Sequence, residues 1–189
     1  MLSVDTLRDS VKRETEPKRL AHVLGCERAA VQLARLYAAD ENAARAAALL
    51  HDITKGLSLT AQLQLLREYD ILTDTVELAQ PKLLHALTGA CVALVRFGQT
   101  DVVCSAIRWH TTGRAGMSTL EKIIYLADYI EPTRDFPGVQ ALRELAEKTL
   151  DGAVLLGLEM TIEHVAHGDG ILHPDTLRAR DWLRSETGK

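Results

Sequence analysis

Apolar residues recur at helical spacing along the whole chain, and nowhere do they alternate with polar ones as in a half-buried strand. Hydrophobic residues make up 47% of the 189 positions and aromatics only 4%. The core must therefore come from Ala, Leu, Val and Ile, a mixture that suits close-packed helices better than stacked sheets. The punctuation marks the elements. A first helix covers Val4 to Arg13, and Pro17 opens a longer one reaching about Tyr37. Asp40 caps a helix that ends in the His51-Asp52 pair, with Gly56 as its stop. Thr60 to Tyr69 is amphipathic, Thr73 to Ala79 precedes Pro81, and Leu83 to Phe97 closes at Gly98. Thr100 caps a helix running to His110, and Ser118 caps Thr119 to Ile130. One or two helices lie between Gly138 and His167, and Pro174 begins the last. With no repeat and no Gly/Ser/Pro-rich linker, the reading is one all-α, single-domain helical bundle over residues 1–189.

The formal charge of -4 argues against a nucleic-acid partner, which would need a basic face. Cys26, Cys91 and Cys104 are odd in number, widely spaced and free of any CxxC, so they read as reduced thiols of a cytoplasmic protein. The first residues lack the charged and apolar segments of a signal peptide. No apolar run approaches the ~20 residues that span a bilayer, so no membrane partner is expected.

Leu49-Leu50-His51-Asp52-Ile53-Thr54-Lys55 places an adjacent imidazole and carboxylate on an otherwise apolar helix. A buried charge without a partner is costly, so this pair asks for compensation. His22 lines up with Cys26, Ala29, Leu33 and Leu36; His110 continues the row of Val103, Ala106 and Ile107; Asp128 lies beside Ala127 and one turn beyond Ile124. Any one of these alone is better read as a core histidine or a helix cap. Four helices aiming the same chemistry inward are better explained by a divalent metal, and His/carboxylate donors suit Mn, Fe(II), Mg or Zn.

Lys55 follows His51 by one turn and could reach a phosphate held at that metal, although a solvated lysine at a helix end explains it equally well. His85 and His110 could donate to phosphate, protonate a leaving group or hold a second ion. Gly89 shares a small-residue row with His85, which would leave room for a ligand. Arg134 suits bidentate phosphate contact, with an ion pair to Asp135 or Glu131 as the plainer alternative. His164, His167, Asp169 and His173 form a rival cluster, read as a solvated helix end rather than a metal site. The Leu-rich stripe from Leu59 to Leu72 suits either core or the face of a homodimer.

His22, His51-Asp52 and Asp128 resemble the H…HD…D signature of the HD-domain metal-dependent phosphohydrolases. Further segments narrow the likeness: Arg19-Leu20-Ala21-His22, Leu84-His85, Trp109-His110-Thr111-Thr112-Gly113 and the block from Leu126 to Arg134. They resemble the bacterial YqeK family of symmetrical bis(5'-nucleosyl)-tetraphosphatases, from about Leu20 to Pro174.

The resemblance implies an HD core over about 18–135, with C-terminal helices over 138–189 packed on it and contributing a nucleotide-facing loop. It implies hydrolysis of diadenosine tetraphosphate to two ADP, with iron first among the ions and manganese, magnesium or zinc as alternatives. His22, His51, Asp52 and Asp128 would be the metal ligands, and Asp52, Lys55, His85 and His110 the catalytic groups. Lys55, His85, His110, Thr111 and Arg134 would face the polyphosphate. Gly170, Ile171, His173 and Pro174 would lie beside the nucleotide, with Leu172 inserted in the family's Ile-His-Pro element. The competing readings are an HD phosphohydrolase of another nucleotide (a monophosphate or a cyclic dinucleotide) and a non-catalytic nucleotide-sensing helical module.

Overall fold

Short polar side chains set where the helices begin. A computed structural model describes residues 2–168 and 170–188, and among these the regular structure is entirely helical. The elements are α1 (Val4–Glu14), α2 (Pro17–Leu36), α3 (Glu41–Leu50), α4 (Leu59–Glu68), α5 (Thr75–Ala79) and a 3₁₀ turn (Pro81–Leu83). There follow α6 (Leu84–Val95), α7 (Asp101–Trp109), α8 (Thr119–Ile130), α9 (Val139–Ala146), α10 (Leu150–Ala166) and α11 (Pro174–Thr187). Ser3, Asp40, Ser58, Asp74, Thr100, Ser118, Thr149 and His173 each accept a hydrogen bond from a first-turn N–H, satisfying donors that the helix itself cannot. Asp74 with Glu77 and Ser118 with Glu121 complete capping boxes.

Two helices occupy the middle. α3 buries Ala44, Ala46, Ala47, Ala48, Leu49 and Leu50, and a helix apolar on so many sides needs neighbours on as many. It has them: α2, α7, α8, α1 and α6 all pack against it. α8 hides every residue from Leu120 to Ala127 and is covered by α2, α7, α10 and α9. The alanines let these axes approach closely, bringing the ends of five helices within side-chain reach. A continuous apolar core runs from Leu7 in α1 to Leu183 in α11, with Leu66, Leu84 and Leu87 as a small separate cluster. No helix among the described residues is long and apolar enough to cross a membrane.

One open expectation is settled and three others change. The segment between Gly138 and His167 is two helices, parted where Thr149 caps α10. Leu36, at the end of the His22 row and the last residue of α2, is exposed. α3 stops at Leu50, and the chain continues in tight i→i+3 turns (Ile53 N to Leu50 O, 3.1 Å; Lys55 N to Asp52 O, 3.0 Å). A tertiary contact accompanies this tightening: the Thr54 hydroxyl donates to the His85 carbonyl of α6 at 3.0 Å and lies 2.8 Å from the Thr88 hydroxyl. Tight winding eclipses positions three apart, so Lys55 meets Asp52 rather than continuing the His51 row.

The third change concerns Gly89, which leaves no space for a ligand. A Cβ there would lie 3.4 Å from the His51 carbonyl and 3.5 Å from both Ile107 and Thr54. The missing side chain instead lets α6 press on the His51 turn. Gly89→Ala should accordingly fit in ordinary contact and leave stability unchanged or raise it by up to about 1 kcal/mol, as for Gly→Ala inside a helix. Gly89→Leu should overpack and destabilise by roughly 1–3 kcal/mol in urea denaturation. Equal stability of the leucine variant and the parent would contradict this packing.

Candidate metal centre

Four histidines are held in one tautomeric pattern. His51 Nδ1 lies 2.7 Å from the Ala48 carbonyl, His85 Nδ1 lies 2.6 Å from that of Lys82, and His110 Nδ1 lies 2.7 Å from that of Ile107. A carbonyl only accepts, so each Nδ1 carries the proton and each Nε2 presents a lone pair. His22, on α2, uses its Nδ1 on a carboxylate: Glu131 Oε1 accepts at 3.1 Å. All four Nε2 atoms then turn toward one another. His22 and His51 approach to 3.3 Å, and His85 and His110 to 3.1 Å.

The carboxylates stand between these pairs. Asp52 Oδ2 lies 3.7 Å from His22 Nε2 and 3.6 Å from His51 Nε2. Its other oxygen, Oδ1, lies 3.2 Å from His85 Nε2 and 3.7 Å from His110 Nε2. Asp128 Oδ1 is 3.1 Å from His22 Nε2. Ligand atoms of His22, Cys26, His51 and Asp128 fall within 4.8 Å of one another, as do those of His51, Asp52 and His110. The donor set fits a divalent cation on two counts. Buried Asp52 Oδ1 has no properly directed hydrogen bond, although Lys55 Nζ stands 3.2 Å away. The His85–His110 contact sets two lone pairs face to face. A cation satisfies both where a further protein donor does not.

The electrostatics follow from this crowding. Burial pushes the Asp52 pKa up, but His51, His110, His85 and Lys55 outweigh it and hold the carboxyl well below its usual range. Asp128 behaves alike, with burial opposed by His22, His51 and Arg134. His51 is driven the other way: burial lowers its pKa to about 4 against the pull of Asp52. Burial also lowers that of His85, only partly offset by its contact with Asp52. His22 is buried too, yet Asp128 and Glu131 raise its pKa on balance. Burial raises that of the Cys26 thiol, which stays protonated beside His22.

Cationic side chains surround the cluster. Arg19 donates to Asp52 Oδ2, and Arg134 donates to the Asp128 side chain and, at 2.7 Å, to its backbone carbonyl. Arg134 thus sits on Asp128, with Glu131 more distant at 3.9 Å. Thr111 follows His110, its buried hydroxyl without a partner. The segment from Gly170 to Pro174 is not brought to the histidines. Gln80 donates to the Ile171 carbonyl, and Gly170 and Ile171 line a small cavity with Gln80, Pro81 and Lys82. His173 accepts from Asp175 N–H and donates to Asp74 at 3.0 Å, so it caps α11 and ties it to α5. Of the rival cluster, His164 and His167 are exposed at the end of α10, away from any pairing with His173; Asp169 lies outside the described residues.

Sequence reasoning offers Glu131 only as an ion-pair partner of Arg134 and assigns Arg19 no role. Glu131 is fully buried and also accepts from the Thr133 backbone at 2.7 Å. A Cβ at position 25 would lie 2.4 Å from its Oε2, so Gly25 is what admits it. The signal was present in the sequence: a glycine in mid-helix three residues after His22.

Residues 19–133 match the HD domain family. The chain is 40% identical over 177 residues to the symmetrical bis(5'-nucleosyl)-tetraphosphatase of Halalkalibacterium halodurans, covering 93% of this chain and 94% of that one. It is 36% identical to the protein of that name from Bacillus subtilis, with the same coverage. A crystal structure from Clostridium acetobutylicum, described as a predicted HD superfamily hydrolase involved in NAD metabolism, superposes with a TM-score of 0.94 at 39% identity. That alignment covers 98% of this chain and 99% of the other.

Glu131 orients His22, so Glu131→Ala should weaken divalent-metal binding roughly 10–100-fold, the range for such supporting carboxylates. Glu131→Gln keeps an acceptor for Nδ1–H and should recover part of the loss. Chelator-competition titration reads both, and unchanged affinity in the alanine variant would refute the role. Stability of the chelator-stripped protein should depend on pH. Between His51's ordinary 6.5 and its folded value of about 4, the unfolded chain binds a proton that the folded one refuses, so stability falls as pH falls. From His51 alone the loss is about 3 kcal/mol. His85 adds to it, and Asp52 and Asp128 add more below their unfolded pKa values. His22 opposes, since its raised pKa gives stability that is present in acid and lost as pH rises through the folded value. Urea midpoints at pH 7 and pH 4.5 should show the net loss; a midpoint that rises in acid would reverse the assignment.

Proposed function

We propose a function on the premise that the chain belongs to the HD domain family and, within it, to the symmetrical bis(5'-nucleosyl)-tetraphosphatases: hydrolysis of diadenosine tetraphosphate and related dinucleoside polyphosphates to two nucleoside diphosphates. The observation that carries it is the convergence of four imidazole Nε2 atoms and two carboxylates inside a ring of Arg19, Lys55 and Arg134. His22, His51, Asp52 and Asp128 would hold a divalent ion, iron before manganese, magnesium or zinc. Such an ion polarises a phosphoryl oxygen and lowers the pKa of a water.

The chain's own groups do the rest. Arg19, Lys55 and Arg134 meet the charge of the polyphosphate and of the departing diphosphate, Arg134 through a planar fork that suits phosphate. The oxygen of water bonds to one inner phosphorus, the bond from that phosphorus to the central bridging oxygen breaks with its electron pair leaving on the departing ADP, and the water's protons pass to solvent. Asp52, held ionised by its neighbours, would orient the water or take its proton. Of the roles open to His85 and His110, holding a second ion is best supported. Their Nδ1 protons are committed to carbonyls, and His85 resists taking another. Asp52 would then be shared, one oxygen toward each histidine pair.

Thr111 would donate its unpartnered hydroxyl to a phosphate oxygen. The segment Gly170–Pro174 enters the reading by position, bracing the turn whose Lys82 carbonyl orients His85. Three free thiols support a cytoplasmic setting, and exposed Leu59 and Leu72 leave a homodimer within the same reading.

Metal analysis of the purified protein combined with product identification tests the proposal. Diadenosine tetraphosphate should yield ADP alone, with one or two divalent ions per chain. Asp52→Asn should lose at least about a thousandfold in kcat, as when a group acting on the reacting atoms is removed. AMP with ATP as products, or full activity in Asp52→Asn, would overturn it.

A further inference from the structure

A symmetrical cut falls midway between two nucleosides, so a site that makes it must receive substrate on both sides of the histidine cluster. Two cavities flank that cluster. One, of about 740 Å³, reaches it at His110, Thr111 and Asp128. The other, of about 880 Å³, reaches it at His22 and Lys55. Arg134 and Phe136 line both and form the ridge between them.

The walls of the two cavities differ in chemistry. Tyr129, Phe136, Pro137 and Met160 give the first an apolar, aromatic face. That face is firmly built. Tyr129 stacks on Tyr125 with centroids 5.3 Å apart and meets Phe136 edge-on at 6.2 Å. Both tyrosine hydroxyls bond to Thr161. Met160 closes over Gly138, where a Cβ would come within 2.9 Å of its methyl and where φ is +92°. The second cavity is lined by Lys18, Arg19, Lys55 and Arg134 interspersed with Glu16, Glu131 and Asp135, and apart from the His22 imidazole Phe136 is its one aromatic ring among the described residues. Aromatic faces hold bases, whereas guanidinium and ammonium groups hold phosphates.

We propose that the first cavity is a nucleoside seat that stacks one purine between Phe136, Tyr129 and Met160, while the second grips the other half of the substrate through its phosphates. The inference rests on the dinucleoside polyphosphate reading above. It means that a symmetric substrate is held unequally: one base is read and the other is carried.

Methyl-labelled methionine reports on the seat directly, because Met160 lines it, whereas Met117 is 4% exposed elsewhere in the core. In NMR titration of the magnesium-loaded protein, ADP should shift the Met160 methyl upfield by ring current and leave Met117 in place. Pyrophosphate, which carries charge but no base, should leave Met160 unmoved. A silent Met160 with ADP, or an equal shift with pyrophosphate, overturns the seat.

Kinetics supply the second arm. Phe136→Ala and Met160→Ala should each raise KM for diadenosine tetraphosphate about tenfold or more, the scale of one lost stacking partner, with kcat changed less than KM. Adenosine 5'-tetraphosphate, which lacks one nucleoside, should be cut to ADP and pyrophosphate with kcat/KM within about tenfold of the dinucleotide; a larger loss means that both bases are read and overturns the unequal grip. If no dinucleotide is cut while ADP still shifts Met160, the activity proposed above fails and the seat stands. If the dinucleotide is cut and Met160 stays silent, the activity stands and the seat fails.

Discussion

Three Nδ1–H donors, each bonded to a carbonyl three residues back, fix what the centre of this molecule can be. His51, His85 and His110 lie at or next to helix ends, where each imidazole N–H reaches the carbonyl three residues back. Satisfying those carbonyls with imidazole N–H commits each ring to a single tautomer. The consequence is a set of lone pairs directed at one another in a buried place, an arrangement that a cation resolves. The backbone thereby chooses the protonation pattern, and the pattern selects the ligand chemistry.

Bringing those helix ends together is a packing problem, and alanine and glycine solve it. α3 is close to an alanine rod, and α6 presses on its end where Gly89 has no side chain. On the other side Gly25 lets the buried Glu131 carboxylate slip beside α2 and take hold of His22. Only Gly25 is a close approach that excludes a side chain; at position 89 an alanine would meet its neighbours in ordinary contact. A helical glycine gives up roughly 0.5–1 kcal/mol relative to alanine, so its presence in α2 points to a geometric need.

Charge balance explains the ring around the cluster. Asp52 and Asp128 stay ionised within the protein, because Arg19, Lys55 and Arg134 stand against them. These cations are also suited to meet a polyanion. The same residues therefore stabilise the folded site and draw the substrate, and Arg134 joins the two tasks by lying on Asp128 while lining both cavities.

Much of this was legible in the residues alone. The spacing of apolar positions, the caps at Asp40, Thr100 and Ser118, and the openings at Pro17 and Pro174 define the helices, because these depend on contacts within a few residues along the chain. Placing His22, His51, Asp52 and Asp128 on inward faces needed only the helical period. What lay beyond that reach was decided by residues distant in sequence. The stop of α3 at Leu50 coincides with a hydroxyl contact to α6, Gly89 serves a backbone contact rather than a ligand, and His22 is aimed by Glu131. The aromatic cavity joins a loop to a helix over twenty residues later. Periodicity says which way a side chain points from its own axis; which partner it meets depends on how those axes cross, and only the assembled helices determine that.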